Sequence, residues 1–173
     1  MKFSRKWNMP NKNTFQIPAI KSFIDSYISK RDQIIIDPFA RNSTITVLSN
    51  DLNPETSATY HLEARDFLRK MKSENIVADI VLFDPPYSPR QISECYNTAG
   101  IRVNMVDTQN GKTMRECREL INAVTKNGSI CLTFGWNSAS MGHDWSIIEI
   151  MLVAHGGAHN DTICCAQLKT CLL

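Results

Sequence analysis

The sequence has no hydrophobic run long enough to cross a bilayer, no CxxC pair and almost no net charge. Its apolar stretches reach only a handful of residues, against the roughly 20 that a membrane span needs, which excludes spanning. The terminal Thr170-Cys171-Leu172-Leu173 places its cysteine one position too late for a prenylation box. The cysteines at 95, 117, 131, 164, 165 and 171 lack redox or zinc-ribbon spacing, and the polar, lysine-rich first residues hold no signal-peptide pattern. They read as reduced thiols of a cytoplasmic protein. A formal charge of +2 with 21% charged residues leaves no whole-molecule field that would draw in nucleic acid, so any basic surface must be local.

What is present suits one domain. The 173 residues are 43% hydrophobic, enough to bury a core without disulfide or metal staples. Short β-branched runs that end in acidic or turn residues predict strands over 33–37, 45–50, 58–62 and 79–84, and later over 129–134, 146–155 and 162–169. Apolar residues at helical spacing predict helices over 17–28 and 114–124. Strands alternating with helices imply an α/β domain with a largely parallel sheet. Only Pro38 to Thr44 separate the first two strands, too few for an ordinary parallel crossover. His155 to Asp161 leave no room for a helix either, so the last two strands should form an antiparallel hairpin. The polar stretch 97–112 reads as a long exposed loop.

The chemistry concentrates at Asp84-Pro85-Pro86-Tyr87. Ile80 to Phe83 form a buried strand, and Asp84 stands at its C-terminal end, where ligands of open α/β sheets bind. Two prolines restrict the backbone and remove two amide donors, which leaves a rigid row of carbonyl acceptors. Such a row suits an exocyclic amino group, a poor nucleophile whose lone pair is delocalised into the base. Acceptors on its hydrogens favour the pyramidal nitrogen that can attack, a role for the Asp84 carboxylate and the Pro85 carbonyl. Tyr87 offers a flat face for an extruded base. An Asp-Pro-Pro run is also an ordinary turn former. Beside it, Ser88-Pro89-Arg90-Gln91 reads as a capped helix start ending near Gly100, and Arg90 is either a phosphate ligand or a solvated helix-start residue.

These residues resemble the amino-methyltransferases of DNA, and more closely the small phage-type N6-adenine methyltransferases that carry a D/N/S-P-P-Y/F/W motif after the fourth strand. Ile34 to Phe39, with Asp37, Pro38 and Phe39, resemble the DPFxGxG cofactor motif of that family. Asn50 to Asn53 resemble the acidic end of its second strand, and Glu63 to Leu68 its third-strand exit. Asn13-Thr14-Phe15 resemble the segment that packs against the cofactor. The resemblance implies a Rossmann-like fold and S-adenosyl-L-methionine as cofactor, bound by Phe15, Asp37, Pro38, Phe39, Asp51, Asn53, Asp66 and Phe67. It implies methyl transfer to adenine N6 in DNA by Asp84, Pro85, Pro86 and Tyr87. Where the family places glycines, this chain has Ala40-Arg41-Asn42-Ser43.

Trp136, after the fifth predicted strand, reaches the same sheet edge and either stacks on a base or packs in the core. Lys2, Arg5, Lys6 and Lys12 around Trp7 are either a backbone-binding arm or a solvated terminus. His155, His159, Cys164 and Cys165 match no common zinc site, and no metal is expected. The expectation is one domain over 1–173 without a separate recognition domain, which predicts low sequence specificity, a very short target, or recognition supplied by a partner or a homodimer. RNA is the alternative substrate, because guanine N2 enzymes share the Asp-Pro-Pro-aromatic run, and a cofactor-binding module without activity is a further alternative.

Overall fold

The computed structural model describes residues 1–28, 32–101 and 111–170. Seven strands form a single sheet: β1 (Lys2–Trp7), β2 (Ile35–Asp37), β3 (Leu48–Ser49), β4 (Ala78–Phe83), β5 (Thr125–Gly135), β6 (Trp145–Ala154) and β7 (Thr162–Lys169). Their spatial order is β1-β6-β7-β5-β4-β2-β3. All neighbours pair in parallel except β7, which runs antiparallel to both β5 and β6. The expected C-terminal hairpin is therefore present, and β7 inserts between β5 and its own hairpin partner.

The helices are α1 (Pro18–Tyr27), α2 (Ala64–Ser73), α3 (Pro89–Thr98) and α4 (Gly111–Ala123), with a 3-10 turn at Thr14–Gln16. None of the described helices is long and apolar enough to cross a membrane. On one face of the sheet, Ile20, Phe23 and Ile24 of α1 pack against Ile80, Leu82, Leu132, Phe134 and Val153. On the other, Phe67, Leu68 and Met71 of α2 and Cys117 and Ile121 of α4 pack against Ile36, Val81, Phe83 and Cys131. Alternate residues of β4 and β5 thus feed opposite cores, as the pleat requires.

Three expectations need correction. The run 58–62 is not a strand: among the described residues it contributes one parallel bridge, Tyr60 with Asn50. Its exit is instead a helix, α2, whose Ala64, Phe67, Leu68 and Met71 recur at one-turn spacing while Arg65, Asp66, Arg69 and Lys70 line its polar side. The N-terminus is not a loose tail, since Lys2–Trp7 pair in register with Glu149–Ala154 as an edge strand. Residues 102–110 of the expected loop lie outside the described residues, as does Cys171.

β2 and β3 are parallel neighbours joined by turns with no helix. A buried asparagine replaces the packing that a crossover helix supplies. Asn50, 1% exposed, donates from Nδ2 to the carbonyls of Pro38 (3.1 Å) and Leu62 (3.0 Å), and its Oδ1 accepts from the Leu62 amide at 3.0 Å. Its own amide donates to the Asp37 carbonyl and its carbonyl accepts from Ala40, both at 2.8 Å. Asn50→Ala would leave the Pro38 and Leu62 groups buried without partners. It should lower stability by about 2–4 kcal/mol, read as a shifted urea midpoint at unchanged slope.

Candidate active site at the carboxyl edge of the sheet

The C-terminal ends of β2, β3, β4 and β5 converge on one edge, and the residues beyond them shape a cleft. Asn13, Thr14, Phe15 and Gln16 form one wall, Phe39, Ala40, Arg41, Asn42 and Ser43 the other, and Asp84 lies between. Phe15 is fixed from below by Phe134, at a ring-centroid distance of 4.9 Å. Phe39 packs edge-on to Phe83, at 5.8 Å.

Two carboxylates in this region resist ionisation. Burial pushes the Asp84 carboxyl from its ordinary 3.8 up to about 6, while the Thr14 hydroxyl and the Arg41 guanidinium pull the other way. Asp37 is fully buried and its carboxyl is held well above the usual range, first by that burial and then by the charges of Asp84 and Asp51; the Phe39 amide, 3.2 Å from Oδ1, opposes this. Asp37 Oδ2 is buried with no hydrogen-bond partner among the described residues. The charges of Asp51 and Asp84 thus both bear on the buried Asp37 carboxyl, an arrangement that a cationic, donor-rich ligand would relieve.

The loop in the place of the family's glycines is built from other residues. Arg41 takes the left-handed conformation, φ 51°, that glycine adopts without strain. Its amide donates to Asp51 Oδ2 (3.1 Å) and its guanidinium to the Lys12 carbonyl (2.8 Å), so its side chain bridges the two walls of the cleft. The other Asp51 oxygen accepts from the Asn53 amide at 2.9 Å. Asp51 and Asn53 thus stand at the β3 end, engaged in shaping the loop, and half-buried. Pro38 is buried beneath it.

Asp66 and Phe67 are placed elsewhere. Asp66 is exposed in the first turn of α2 and pairs with Arg69 at 2.7 Å, and Phe67 is fully buried against Tyr60. The acid at this exit is Glu63, the N-cap of α2, held there because Asn50 grips the preceding Leu62. The signal was its position first in Glu63-Ala64-Arg65-Asp66, before the helical spacing begins.

Beyond Asp84 the chain turns through Pro85, buried, and Pro86, half-buried, into Tyr87. The Tyr87 ring lies against Gly135 at the end of β5 so closely that a Cβ there would sit 2.5 Å from Cζ. Glycine at 135 is what lets the ring settle. Trp136 follows, 47% exposed, with its ring 6.4 Å from that of Tyr87 and tilted 34° from it. The core-packing reading of Trp136 does not hold, since its ring is exposed. The expected capping box is present: Ser88 Oγ accepts from the Gln91 amide at 3.1 Å, and Gln91 Oε1 accepts from the amides of Ser88 (3.1 Å) and Tyr87 (2.9 Å). Arg90 points to solvent and pairs with Glu94 at 2.8 Å.

No protein-family model matches the sequence, and no curated protein matches it. Solved structures share its architecture. yhhF of Escherichia coli, a candidate methyltransferase, aligns at a TM-score of 0.55 with 11% identity, over 88% of this chain and 85% of that one. TrmN of Thermus thermophilus aligns at 0.54 with 13% identity, over 88% of this chain and 49% of that one. The chain thus has the Rossmann-like fold seen in these proteins, mostly parallel with an antiparallel C-terminal hairpin.

The raised Asp84 carboxyl has a consequence for stability. An acid whose folded value exceeds its unfolded value stabilises the fold fully below 3.8, and that contribution is lost as pH rises through about 6. Asp84→Asn removes the buried charge. Its stability relative to wild type should therefore rise between about pH 4 and 6 and level off above, by about 1–3 kcal/mol, measured by urea unfolding across that range.

Proposed function

We propose that this protein transfers a methyl group from S-adenosylmethionine to the exocyclic amino group of a nucleic-acid base, adenine N6 in DNA. The observation that carries the reading is the Asp84-Pro85-Pro86-Tyr87 segment at the C-terminal end of β4, where the Asp84 carboxylate lines the cleft and the rings of Tyr87 and Trp136 lie side by side just beyond it. The fold adds support, since it is shared with proteins named as methyltransferases.

The cofactor supplies a sulfonium methyl, and its positive charge and ammonium group suit the corner where the charges of Asp51 and Asp84 bear on the buried Asp37. Phe15 and Phe39 would flank it on the two walls, with Pro38 beneath and Asn53 beside Asp51. The Asp84 carboxylate and the Pro85 carbonyl accept the two amino hydrogens of the base. They localise the nitrogen lone pair and stabilise the positive charge that grows on nitrogen as it is methylated. Pro86 keeps the segment rigid, and Tyr87 stacks the base with Trp136 beside it. The amino proton leaves after transfer, so the residues need no separate general base. Arg90, at the start of α3, is the ligand for a neighbouring phosphate. Sequence specificity would come from a partner or a second copy. RNA as substrate fits the same acceptors. Cofactor binding without transfer is the further alternative.

Labelled methyl transfer to duplex DNA, single-stranded DNA and RNA, followed by nucleoside analysis, tests the proposal. N6-methyladenine in DNA is the expected product; cofactor binding with no labelled nucleic acid would sink it. Asp84→Ala should reduce transfer by about a hundredfold or more while cofactor binding persists. Wild-type transfer should fall as pH drops through about 6, where Asp84 takes up its proton.

A further inference from the structure

The edge strand β1 is not absorbed by this reading, and its surface has an unusual make-up. From Met1 to Ile24 the chain carries five cations, Lys2, Arg5, Lys6, Lys12 and Lys21, and no carboxylate. Within β1, Phe3 is 67% exposed and Trp7 61%, although both are large and apolar. Strand alternation puts Phe3, Arg5 and Trp7 on one side and Lys2, Ser4 and Lys6 on the other. Lys2 is tied to Glu149 at 2.8 Å, while Arg5 and Lys6 are exposed. Aromatic, cation, aromatic on one open side is a pairing of stacking faces with phosphate charge.

The topology directs this surface toward the cleft. β1 runs parallel to β6, with Trp7 opposite Ala154; Val153 lies opposite Thr162 on β7, and Ile163 opposite Gly135 on β5. Trp7 therefore ends at the same sheet edge as Gly135 and Asp84. Four strand spacings separate β4 from β1, about 19 Å, the length of a few nucleotides. The chain then crosses that edge. The Asn8 amide donates to the Ala154 carbonyl at 3.1 Å, and its carbonyl accepts from His155 Nδ1 at 2.8 Å. Further along, the Lys12 carbonyl accepts from Arg41, and Asn13 lines the cleft.

We propose that Phe3, Arg5 and Trp7 of β1, with Lys12 beyond it, form a ledge that holds single-stranded DNA flanking the base presented to Asp84. This rests on the proposed function and names where its substrate lies. Charge decides the occupant: an open edge strand can also pair with a second copy of itself, but the strand's unshared cations would then face each other.

The test is fluorescence anisotropy of a labelled single-stranded oligodeoxynucleotide with the full chain and no cofactor. Trp7→Ala and Phe3→Ala should each weaken binding about tenfold or more, the effect of losing one stacked base, and Trp7→Phe should restore most of it. Arg5→Ala should flatten the log–log salt dependence by about 0.7, the single-strand value per cation, which a purely structural role would not do, while Lys6→Ala, on the opposite side of the strand, should leave that slope nearly unchanged. In methyl transfer, the alanine variants at Phe3, Arg5 and Trp7 should raise KM with little change in kcat. Unchanged affinity and salt slope in these three variants, at the wild-type urea midpoint, would overturn the ledge. So would tighter binding of RNA of the same sequence, or a wild-type dimer in light scattering that Trp7→Ala dissociates. Wild type that binds DNA through these residues but transfers no methyl group would sink the proposed function and leave the ledge standing.

Discussion

The buried side chain of Asn50 is the constraint on which the site depends. An ordinary parallel crossover holds its strands together by packing a helix across them, and the connection from β2 to β3 has none. Here one amide side chain, with its backbone, binds Asp37, Pro38, Ala40 and Leu62 at once. These are the residues from which the cleft walls and the Glu63 exit depart. A buried amide can do this because it offers donors and an acceptor together, and each bond forms where water cannot compete. The left-handed Arg41 and the bonds that Asp51 accepts are then consequences of a loop whose two ends are already fixed.

Burying acids at the sheet edge is costly, and the cost localises chemistry. Asp37 and Asp84 are both desolvated and both feel neighbouring carboxylates or counter-charges. A corner that disfavours its own negative charge favours an arriving positive one, whether a cationic ligand or a nitrogen acquiring charge in a transition state. The aromatic side of the site has a steric origin instead. Tyr87 can fold onto the end of β5 only because residue 135 lacks a Cβ, and this brings its ring beside Trp136. The cleft, the two rings and β1 share one edge because all their strands but β7 run in the same direction.

Much of this was legible in the chain. The β4 strand, its Asp84 terminus and the Ser88 to Gln91 box are written in adjacent residues, where local rules of alternation and capping apply. The hairpin between β6 and β7 follows from a connection too short for anything else. The misreadings have separate causes. Glu63 to Leu68 carries an acid at two places, and taking Asp66 as the strand terminus overlooked the apolar one-turn spacing that makes the stretch helical. β1 escaped notice because neither of its faces enters the core, so no hydrophobic pattern marks it.

The sequence by itself determined the elements whose driving force is local: the buried runs, the capped start of α3 and the proline segment that follows Asp84. Tertiary structure alone decided which acids share a corner, that Trp136 faces solvent, and that an N-terminal strand ends at the same edge as the Asp84 to Tyr87 segment. Those outcomes depend on strand order and on burial by distant residues, and neither the desolvation of Asp37 nor the meeting of Tyr87 with Gly135 is encoded in any stretch of neighbouring residues.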